Sequence, residues 1–543
     1  MRYFLTFDRG RCLACGSCEL ACSVAHSQTG TLETAIREEA RPRRRVTLAA
    51  GPEGIDALRC EQCDEPLCAF TCKSGALRRD PVTGRVVFDD GLCVGCFMCL
   101  MVCPSGVRPD PATGHVVRCD VCLGRDVPAC MAACPTGALG AGTEGKERPR
   151  SEFRGHVVVV GSSAAGVAAC EAARERAPEC AITLITADRN VSYSRPLLPY
   201  LLAGRIGPPG IEWRADGFLE TQLSVRVMRG ERAARLDAPS AKLRLDSGEE
   251  VAFDRLIVAT GARPTMPAIP GVALPGVATL RDLEDLETLE TLAVAGRRAV
   301  VLGGGNVGLQ ACEALVERGL KVTVVVASAH LLSQMVDAEA GRRVGELLAS
   351  QGVDVRTGRD AIEILGRERV EAVLLDNGER VAAELVVVGK GILPNIEWLR
   401  DSGLRTGRGI VADASGRTNL AGIFAAGDCA ETADPLTGRP AVSGIWPVAY
   451  EMGRAAGSTA VGIDYASAGA LRMNASRFFG VPVISIGEVR AERLEGARAE
   501  VLENSAGAYR KVVWRGDRLA GALLYGDIAG AGSFYRMYRD GVN

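Results

Sequence analysis

Short runs of aliphatic and β-branched residues alternate with longer stretches of helical composition along the last two thirds of the chain. HVVVV (His156–Val160) precedes a small-residue turn and a stretch of helical composition. AVVL (Ala299–Leu302) precedes a glycine turn and a second stretch of helical composition. KVTVVV (Lys321–Val326) and LIVATGARP (Leu256–Pro264) add further buried runs. Strands that alternate with helices predict an α/β fold. No apolar stretch approaches the roughly 18 residues that a membrane span requires.

Two of these strands end in a turn of the dinucleotide-binding kind. GGGNVG (Gly303–Gly308) fits the pattern G-x-G-x-x-G, whereas GSSAAG (Gly161–Gly166) departs from it by Ser163 in the middle position. Small residues let the backbone approach a pyrophosphate, and the amides at the start of the next helix favour its negative charge. A single glycine turn also serves helix–strand packing alone, but two copies in this context favour two Rossmann-like domains.

A further strand is predicted in TNLAGIFAAGDCA (Thr418–Ala430), with Asp428 at its end. Ligands bind at the carboxyl ends of strands in open α/β sheets, so Asp428 is positioned to hold a sugar hydroxyl. The alternative for this residue is the N-cap of a helix.

The first 140 residues differ in character, because they hold sixteen of the chain's 20 cysteines. The sixteen form four groups, each opened by C-x2-C and closed by C-x3-C. The first three cysteines of a run bind one [4Fe-4S] cluster, and the last cysteine of the run binds a neighbouring cluster. The pattern therefore predicts four [4Fe-4S] clusters. Structural zinc is bound by two separated pairs of ligands, so a third cysteine close to the first pair does not fit it. A disulfide framework needs an oxidising compartment. The candidate ligands are Cys12, Cys15, Cys18, Cys22, Cys60, Cys63, Cys68, Cys72, Cys93, Cys96, Cys99, Cys103, Cys119, Cys122, Cys130 and Cys134.

Composition narrows the class of protein further. The chain has 543 residues, which favours three or four domains, and 47% apolar residues, which excludes a disordered or fibrous chain. Its formal net charge of −2 gives no argument for nucleic acid, and the one dense basic run, RPRRR (Arg41–Arg45), is interpreted as a solvated loop or docking edge. Because the chain begins MRYFLTFDRG without an apolar signal region, a cytoplasmic location is expected. Residues 141–154 are predicted to form a linker.

From Gly155 to about Asp540 the chain resembles the FAD- and NAD(P)-dependent pyridine nucleotide oxidoreductases, in particular NADH:rubredoxin reductases and the flavin portion of assimilatory nitrite reductases. The stretches that carry the resemblance are GSSAAG from Gly161, YSRPLLPYLLAG from Tyr193, ATGARP from Ala259, GGGNVG from Gly303, GKGILPN from Gly389, IFAAGDCA from Ile423 and WPVAYEMGRAAG from Trp446. The resemblance implies an FAD domain over 155–280 and 385–460 and an NAD(P) domain over 281–384. It also implies a small α+β interface domain over 461–543, which usually supports a dimer.

The same resemblance implies roles for individual residues. The expected FAD contacts are Gly161, Ser163, Ala164, Gly166, Asp188, Arg195, Pro196, Ala259, Thr260, Gly261, Asp428 and Trp446. The expected NAD(P) contacts are Gly303, Gly305, Asn306, Val307, Gly308, Ser328 and Gly391. The strand that precedes Ser328 ends without the acidic residue typical of NAD sites and without a nearby arginine, so the choice between NADH and NADPH stays open.

Residues 1–140 resemble the four-cluster ferredoxin subunits of molybdenum and tungsten oxidoreductases and of CO dehydrogenase systems. CGSCELACSVAH (Cys15–His26) and TGHVVRCDVCLGR (Thr113–Arg125) carry this resemblance. It implies an α+β polyferredoxin in which the cysteine groups complete one another crosswise. The implied ligand sets are Cys12, Cys15, Cys18 and Cys134; Cys22, Cys119, Cys122 and Cys130; Cys60, Cys63, Cys68 and Cys103; and Cys72, Cys93, Cys96 and Cys99. His26 is then left for packing or for support of a ligand.

One departure from the flavoprotein pattern bears on the activity. Some relatives carry a redox-active cysteine shortly after the segment that here reads Tyr193-Ser194-Arg195, where this chain has Pro196 and leucines. The four remaining cysteines form no C-x2-C or C-x4-C pair and are interpreted as buried structural thiols, namely Cys170, Cys180, Cys312 and Cys429. Electrons must therefore leave the flavin by another route, and the clusters supply one.

These features predict an FAD-dependent, iron-sulfur oxidoreductase that takes electrons from a partner metalloenzyme and reduces NAD(P)+. A CO dehydrogenase, a tungsten or molybdenum oxidoreductase such as an aldehyde oxidoreductase, or a hydrogenase is the expected partner. One alternative is an NAD(P)H-dependent oxidase or reductase that supplies electrons to a partner reductase. Another is a scaffold that docks a catalytic subunit without carrying electrons. The direction of electron flow stays open, because cluster potentials depend on hydrogen bonds and exposure that spacing does not reveal.

Overall fold

The computed structural model describes residues 2–39, 42–51, 54–80, 83–144 and 148–541. The chain forms two compact units, of which the first comprises Met1–Arg148 together with Asp527–Asn543 and the second comprises Pro149–Gly526. Arg41 of the basic run and residues 145–147 of the predicted linker lie outside the described residues. No helix in the described part of the chain is long and apolar enough to cross a membrane.

The first unit is built from short strands and short helices. Its strands are β1 (Arg2–Phe7), β2 (Thr47–Gly51), β3 (Gly54–Leu58), β4 (Leu77–Arg79), β5 (Val86–Phe88), β6 (Val107–Asp110), β7 (His115–Arg118) and β8 (Leu139–Glu144). Its first five helices are α1 (Ser17–Ala25), α2 (Leu32–Ala35), α3 (Leu67–Phe70), α4 (Met98–Val102) and α5 (Ala129–Ala132). Antiparallel pairs form between β1 and β8, β2 and β3, β4 and β5, and β6 and β7. The β1–β8 pair brings the two ends of the cysteine-rich segment side by side.

The segments that directly precede the first and third cysteine groups have the same local structure. Asp8 and Asp89 each accept a hydrogen bond from the backbone N–H two residues later, at 3.0 and 3.1 Å. Each carboxylate thereby caps a 3-10 helix, Arg9–Arg11 or Asp90–Leu92, that ends directly before the first cysteine of its group. The same local chemistry therefore presents both groups.

The second unit contains most of the regular structure. Its strands up to residue 442 are β9 (His156–Val160), β10 (Ala181–Thr186), β11 (Arg226–Arg229), β12 (Ala233–Asp237), β13 (Lys242–Leu245), β14 (Glu250–Ala252), β15 (Arg255–Val258), β16 (Ala262–Pro264), β17 (Val277–Ala278), β18 (Arg298–Leu302), β19 (Lys321–Val326), β20 (Asp354–Thr357), β21 (Ala361–Leu365), β22 (Ala372–Leu375), β23 (Arg380–Ala382), β24 (Leu385–Val388), β25 (Ile392–Pro394), β26 (Ile410–Val411), β27 (Ile423–Ala425), β28 (Ala430–Ala433) and β29 (Pro440–Val442). Its α-helices are α6 (Ala164–Arg176), α7 (Leu198–Leu202), α8 (Phe218–Thr221), α9 (Leu283–Leu292), α10 (Asn306–Glu317), α11 (Ala338–Ser350) and α12 (Trp446–Ala460). Short 3-10 helices span Arg195–Leu197, Pro208–Ile211, Glu397–Leu399, Gly427–Cys429 and Ala491–Arg493.

Two five-stranded parallel sheets organise these elements. The first sheet has the order β11-β10-β9-β15-β27, and the second has the order β17-β24-β18-β19-β20. Each is accompanied by a three-stranded antiparallel sheet, β12-β13-β14 or β21-β22-β23. The central strands are buried on both faces, which explains their continuous aliphatic runs. The two predicted Rossmann-like folds are therefore confirmed.

Helix α12 packs against α6 at unusually short range. A Cβ atom added to Gly453 would lie 2.1 Å from the carbonyl oxygen of Ala165, and one added to Gly457 would lie 2.3 Å from that of Ala169. Only glycine permits so close an approach of two helix backbones. The contact fixes α12 beside the turn that opens α6, so the start of α12 is held near the first glycine turn.

The C-terminal stretch is divided between the two units. Strands β30 (Met473–Phe478), β31 (Val481–Gly487), β32 (Ala497–Asn504), β33 (Tyr509–Arg515) and β34 (Arg518–Tyr525) form an antiparallel sheet of the second unit, in the order β30-β31-β34-β33-β32. Helix α13 (Ala531–Asp540) belongs to the first unit, where it packs against α4. The sequence interpretation assigned 461–543 to a single interface domain, whereas the contacts group the helix with the cysteine-rich residues.

Candidate functional site

The four C-x2-C loops share one backbone conformation. In each loop the residue just before the second cysteine has a positive φ, at Ala14 (52°), Gln62 (50°), Gly95 (61°) and Val121 (57°). This left-handed region is uncommon for residues other than glycine and is strained for a β-branched residue such as Val121. Three of the four positions hold residues other than glycine, so the loop shape is required whatever the residue type, which is what curvature around a bound group demands.

The cysteines gather into the four crosswise sets that the resemblance implied. Cys12, Cys15, Cys18 and Cys134 line one open cavity of about 300 Å³, and Cys72, Cys93, Cys96 and Cys99 line another of about 310 Å³. In a third set, burial together with repulsion from the neighbouring Cys119, Cys22 and Cys122 raises the pKa of Cys130 to about 12. In the fourth, burial raises the pKa of Cys68 well above its usual value, with added repulsion from Cys103, Cys60 and Cys63. These thiols hold their protons, and metal binding would have to displace them.

The last cysteine of the first three runs accepts a backbone hydrogen bond at its sulfur, and backbone N–H groups also approach Cys134 in the fourth. The sulfur of Cys22 accepts from the N–H of Arg45 at 3.1 Å, that of Cys72 from Leu77 at 3.2 Å and that of Cys103 from Gly106 at 3.2 Å. Such bonds favour the thiolate form of the ligand. Because these donors are backbone N–H groups, no residue type in the sequence could have predicted them.

His26 belongs to a polar network around Cys22. Its Nε2 lies 3.1 Å from a carboxylate oxygen of Asp120, which also accepts a bond of 2.7 Å from Arg45, and its Nδ1 lies 3.7 Å from the sulfur of Cys22. Burial works against the charged ring, but the bonds to Asp120 and Cys22 outweigh it and raise the pKa of His26 to about 9. His26 therefore contacts a cysteine that the resemblance implies to be a cluster ligand.

A buried cation also lies among the thiols. Arg118, at the end of β7, is only 2% exposed and donates to the sulfur of Cys60 at 2.9 Å and to the carbonyl oxygen of Val86 at 2.7 Å. No carboxylate within the described ranges pairs with it. Cysteines around a buried positive charge suit a strongly anionic group such as an iron-sulfur cluster held by four thiolates. The donor set and its surroundings therefore fit the clusters that the spacing predicted.

The second unit contains an open cleft of about 480 Å³ at the carboxyl ends of the first parallel sheet. This volume lies within the 300–1,000 Å³ common for small-molecule and cofactor sites. Of the twelve residues expected to contact FAD, seven line the cleft, namely Gly161, Ser163, Asp188, Arg195, Ala259, Thr260 and Gly261. The other five do not line it; they are Ala164, Gly166, Pro196, Asp428 and Trp446.

Sequence reasoning missed several residues of this cleft. Arg281 lies on the lining and donates to a carboxylate oxygen of Asp428 at 3.1 Å, which links that residue to the site. Trp398 also lines the cleft, and its buried indole N–H has no hydrogen-bond partner in the described part of the chain. A buried donor without a partner is what a ligand acceptor would satisfy. Neither residue stands in a motif, so no local signal could have identified it.

The glycines of the two turns are required by close backbone contacts. A Cβ atom on Gly161 would lie 2.1 Å from the carbonyl oxygen of Ala259, and one on Gly303 would lie 2.3 Å from that of Gly389. Both also have positive φ, near 116° and 120°. A Cβ atom on Gly305, in contrast, would meet nothing within 4 Å. The first glycine of each turn is thus structural, while the middle position opens onto space that a pyrophosphate can use.

The residues expected to bind NAD(P) surround the second turn. Gly305, Asn306, Val307 and Gly308 form the turn and first residues of α10, and Ser328 follows β19. The fold also brings Arg359 beside this strand, where its backbone N–H donates to the carbonyl of Val326 at 3.1 Å. Sequence reasoning found no arginine near Ser328, because Arg359 reaches it only through the pairing of β19 with β20. Gly391, with φ near 97°, completes the expected set on the segment after β24.

The four cysteines outside the first unit are free and buried. Burial raises the pKa of Cys170 far above its usual value and that of Cys312 to about 12, so these thiols stay protonated. Cys429 is directed at the carbonyl oxygen of Val258. Thiols in such surroundings are unreactive, which agrees with a flavin site that lacks a redox disulfide.

Comparison with known proteins decides the family. Residues 155–453 match the pyridine nucleotide-disulphide oxidoreductase family. The chain belongs to this family. On either side of this match, residues 54–144 match a 4Fe-4S dicluster domain, and residues 472–540 match the C-terminal domain of rubredoxin NAD+ reductase. The fusion of an iron-sulfur domain to an FAD- and NAD(P)-dependent oxidoreductase, expected from the motifs, is confirmed.

Three similar proteins illustrate the range of this oxidoreductase family. The epsilon subunit of an NADH-dependent phenylglyoxylate dehydrogenase from Aromatoleum evansii is 31% identical over 366 residues, covering 66% of this chain and 85% of that protein. A nitrite reductase [NAD(P)H] from Bacillus subtilis is 30% identical over 70% of this chain, which spans 47% of that enzyme. The structure of an NAD-dependent persulfide reductase from A. fulgidus superposes with a TM-score of 0.68 at 26% identity, covering 72% of this chain and 77% of that one.

Proposed function

We propose that this chain is an electron-transfer subunit that carries four [4Fe-4S] clusters and FAD and passes electrons between a partner metalloenzyme and NAD(P)(H). The observation that carries the proposal is the common backbone of the four C-x2-C loops, each with a left-handed residue before its second cysteine. The dicluster match covers residues 54–144 only, yet the same loop also begins at Cys12, outside that match. Four equivalent loops support four equivalent clusters.

The bound clusters would exchange single electrons, and the bound flavin would convert between single-electron and hydride transfer. The chain's own residues hold these groups. The four cysteine sets would supply sixteen thiolates, the first turn and the start of α6 would receive the FAD pyrophosphate, and Asp428 would bind a hydroxyl of its sugar-like chain. The turn at Gly303 would receive NAD(P) in the same manner.

A separate protein is proposed to oxidise or reduce the substrate. The four cysteines of the second unit are buried, so they offer no accessible nucleophile, and the open cleft is the site proposed for FAD. The relative from Aromatoleum evansii is by name a subunit of an NADH-dependent dehydrogenase, which supports a role within a larger enzyme. A CO dehydrogenase, a tungsten or molybdenum oxidoreductase, or a hydrogenase is the class of partner proposed here.

The experiment is anaerobic purification of the full chain, followed by metal and flavin analysis and reduction with NADH or NADPH. We expect about sixteen iron atoms per chain, one FAD, and loss of both flavin and iron-sulfur absorbance on reduction. Substitution of Cys93 and Cys96 by serine should remove about four iron atoms. Substitution of the buried Cys170 by serine is the matched control and should remove none.

Three results would contradict the proposal. Iron near eight atoms per chain would limit the protein to two clusters. Rapid turnover with NAD(P)H and oxygen in the variant at Cys93 and Cys96 would favour an oxidase. Electron flow to a partner that survived loss of the clusters would favour a scaffold.

A further inference from the structure

Arg118 is a buried charge whose surroundings are unusual. Its side chain has three nitrogen atoms, of which one donates to the sulfur of Cys60, one donates to the carbonyl of Val86, and Nε has no partner. No ion pair to a carboxylate is present for it anywhere in residues 2–39, 42–51, 54–80, 83–144 and 148–541. The guanidinium is charged at all physiological pH values, so the charge itself must be balanced within the protein.

Two other buried arginines of this chain have a carboxylate partner. Arg454, 4% exposed, pairs with Glu175 at 3.0 Å, and Arg490, 6% exposed, pairs with Glu488 at 2.7 Å. A buried cation without such a partner is strongly destabilising. The negative charge near Arg118 must therefore come from the thiolates around it, and in particular from Cys60.

We propose that Arg118 is the internal counter-cation of the cluster ligated by Cys60, Cys63, Cys68 and Cys103, and that it raises the reduction potential of that cluster above what the same ligands would give without it. This inference rests on the proposed function, because it requires a cluster at these four cysteines. A cluster that takes up one electron gains one negative charge and breaks no bond. A fixed positive charge at hydrogen-bond distance from one ligand stabilises the reduced form more than the oxidised form.

Arg118 is therefore a positioning residue that acts on the cluster through Cys60 and through its charge. The contact is short, and burial excludes the water that would screen it. The reduced form of this cluster would therefore be more favourable than it would be without the charge of Arg118.

The test compares two substitutions of Arg118 with a matched control. Arg118→Gln removes the charge and keeps a hydrogen-bond donor, whereas Arg118→Lys keeps the charge. Arg59 directly precedes Cys60 as Arg118 directly precedes Cys119, but it donates only to the backbone carbonyls of Leu5 and Ala57. Arg59→Gln thus removes a neighbouring arginine that contacts no sulfur.

The measurement is the midpoint potential of each cluster, followed by EPR during an anaerobic redox titration of the full chain. We expect Arg118→Gln to make reduction of one cluster at least about tenfold less favourable. For a one-electron couple this lowers the midpoint potential by about 59 mV. Arg118→Lys should lower it less, and Arg59→Gln should leave all midpoints unchanged. Unchanged midpoints in Arg118→Gln, or an equal shift in Arg59→Gln, would overturn the inference.

Iron analysis separates this inference from the proposed function. A wild-type chain with no cluster at Cys60 would defeat the proposed function, whatever the variants do. If Arg118→Gln lost about four iron atoms while Arg118→Lys retained them, the charge would be shown to hold that cluster, in agreement with the inference. Equal iron loss in both variants would show that shape rather than charge matters, and would overturn it.

Discussion

Helix α13 is predicted to act as a cover for one cluster-binding loop, and Gly532 is the residue that tests this. A Cβ atom on Gly532 would lie 2.0 Å from the carbonyl oxygen of Cys103 and 2.9 Å from the nitrogen of Pro104. Ordinary contact begins near 3.4 Å, so in Gly532→Ala the helix and the loop must separate by roughly 1.4 Å. The neighbouring Tyr535 and Tyr538 are 3% and 2% exposed, so the helix cannot move without disturbing packed aromatic rings.

Overpacking of this kind costs about 1–3 kcal/mol. If that cost weakens the closed state of the loop, local opening becomes about 5- to 150-fold more frequent. The assay is anaerobic release of iron to a chelator, measured for wild type, Gly532→Ala and the control Ser533→Ala, whose side chain is exposed on the same helix. We expect about a quarter of the iron to be released faster in Gly532→Ala alone. Equal rates in all three proteins would refute the packing of α13 on the Cys103 loop.

Three further outcomes are expected. Gly161→Ala should yield protein with little FAD, because its methyl group would meet the carbonyl of Ala259, whereas Gly305→Ala should keep FAD and bind NAD(P)H more weakly; flavin content and nucleotide titration distinguish the two. Asp337→Ala should lower the free energy of unfolding of the second unit by about 1–3 kcal/mol in urea titrations, because Asp337 caps α11 and accepts the hydroxyl of Tyr509 at 2.9 Å. Removal of iron by a chelator should abolish the ordered structure of the first unit in far-UV circular dichroism while FAD stays bound, and retention of that structure would count against cluster-dependent folding.

The sequence predicted the parts of the site whose residues lie close together along the chain. The cysteine spacing indicated cluster ligands, and the two small-residue turns predicted the Rossmann-like folds, because each C-x2-C loop and each turn is formed by residues close together in the sequence. Val121 illustrates the limit, since a β-branched residue gives no local reason to expect a positive φ. Only the shape required of the whole loop imposes that conformation.

Contacts between distant residues were beyond the reach of sequence patterns. Arg118 contacts Cys60, 58 residues earlier, and Arg281 contacts Asp428, 147 residues later. The β-branched pair in HVVR (His115–Arg118) is typical of a strand but does not reveal what the last side chain meets. Arg359 was missed near Ser328 for the same reason, because its place depends on which strand pairs with β19.

The membership of α13 in the first unit has a consequence for biosynthesis. A ribosome releases the cysteine-rich segment first, then the whole nucleotide-binding unit, and α13 last. The loop that carries Cys103 therefore lacks this contact until the nucleotide-binding unit and α13 have been translated. Maturation of the iron-binding half should thus be completed only after the flavin-binding half has already emerged and folded.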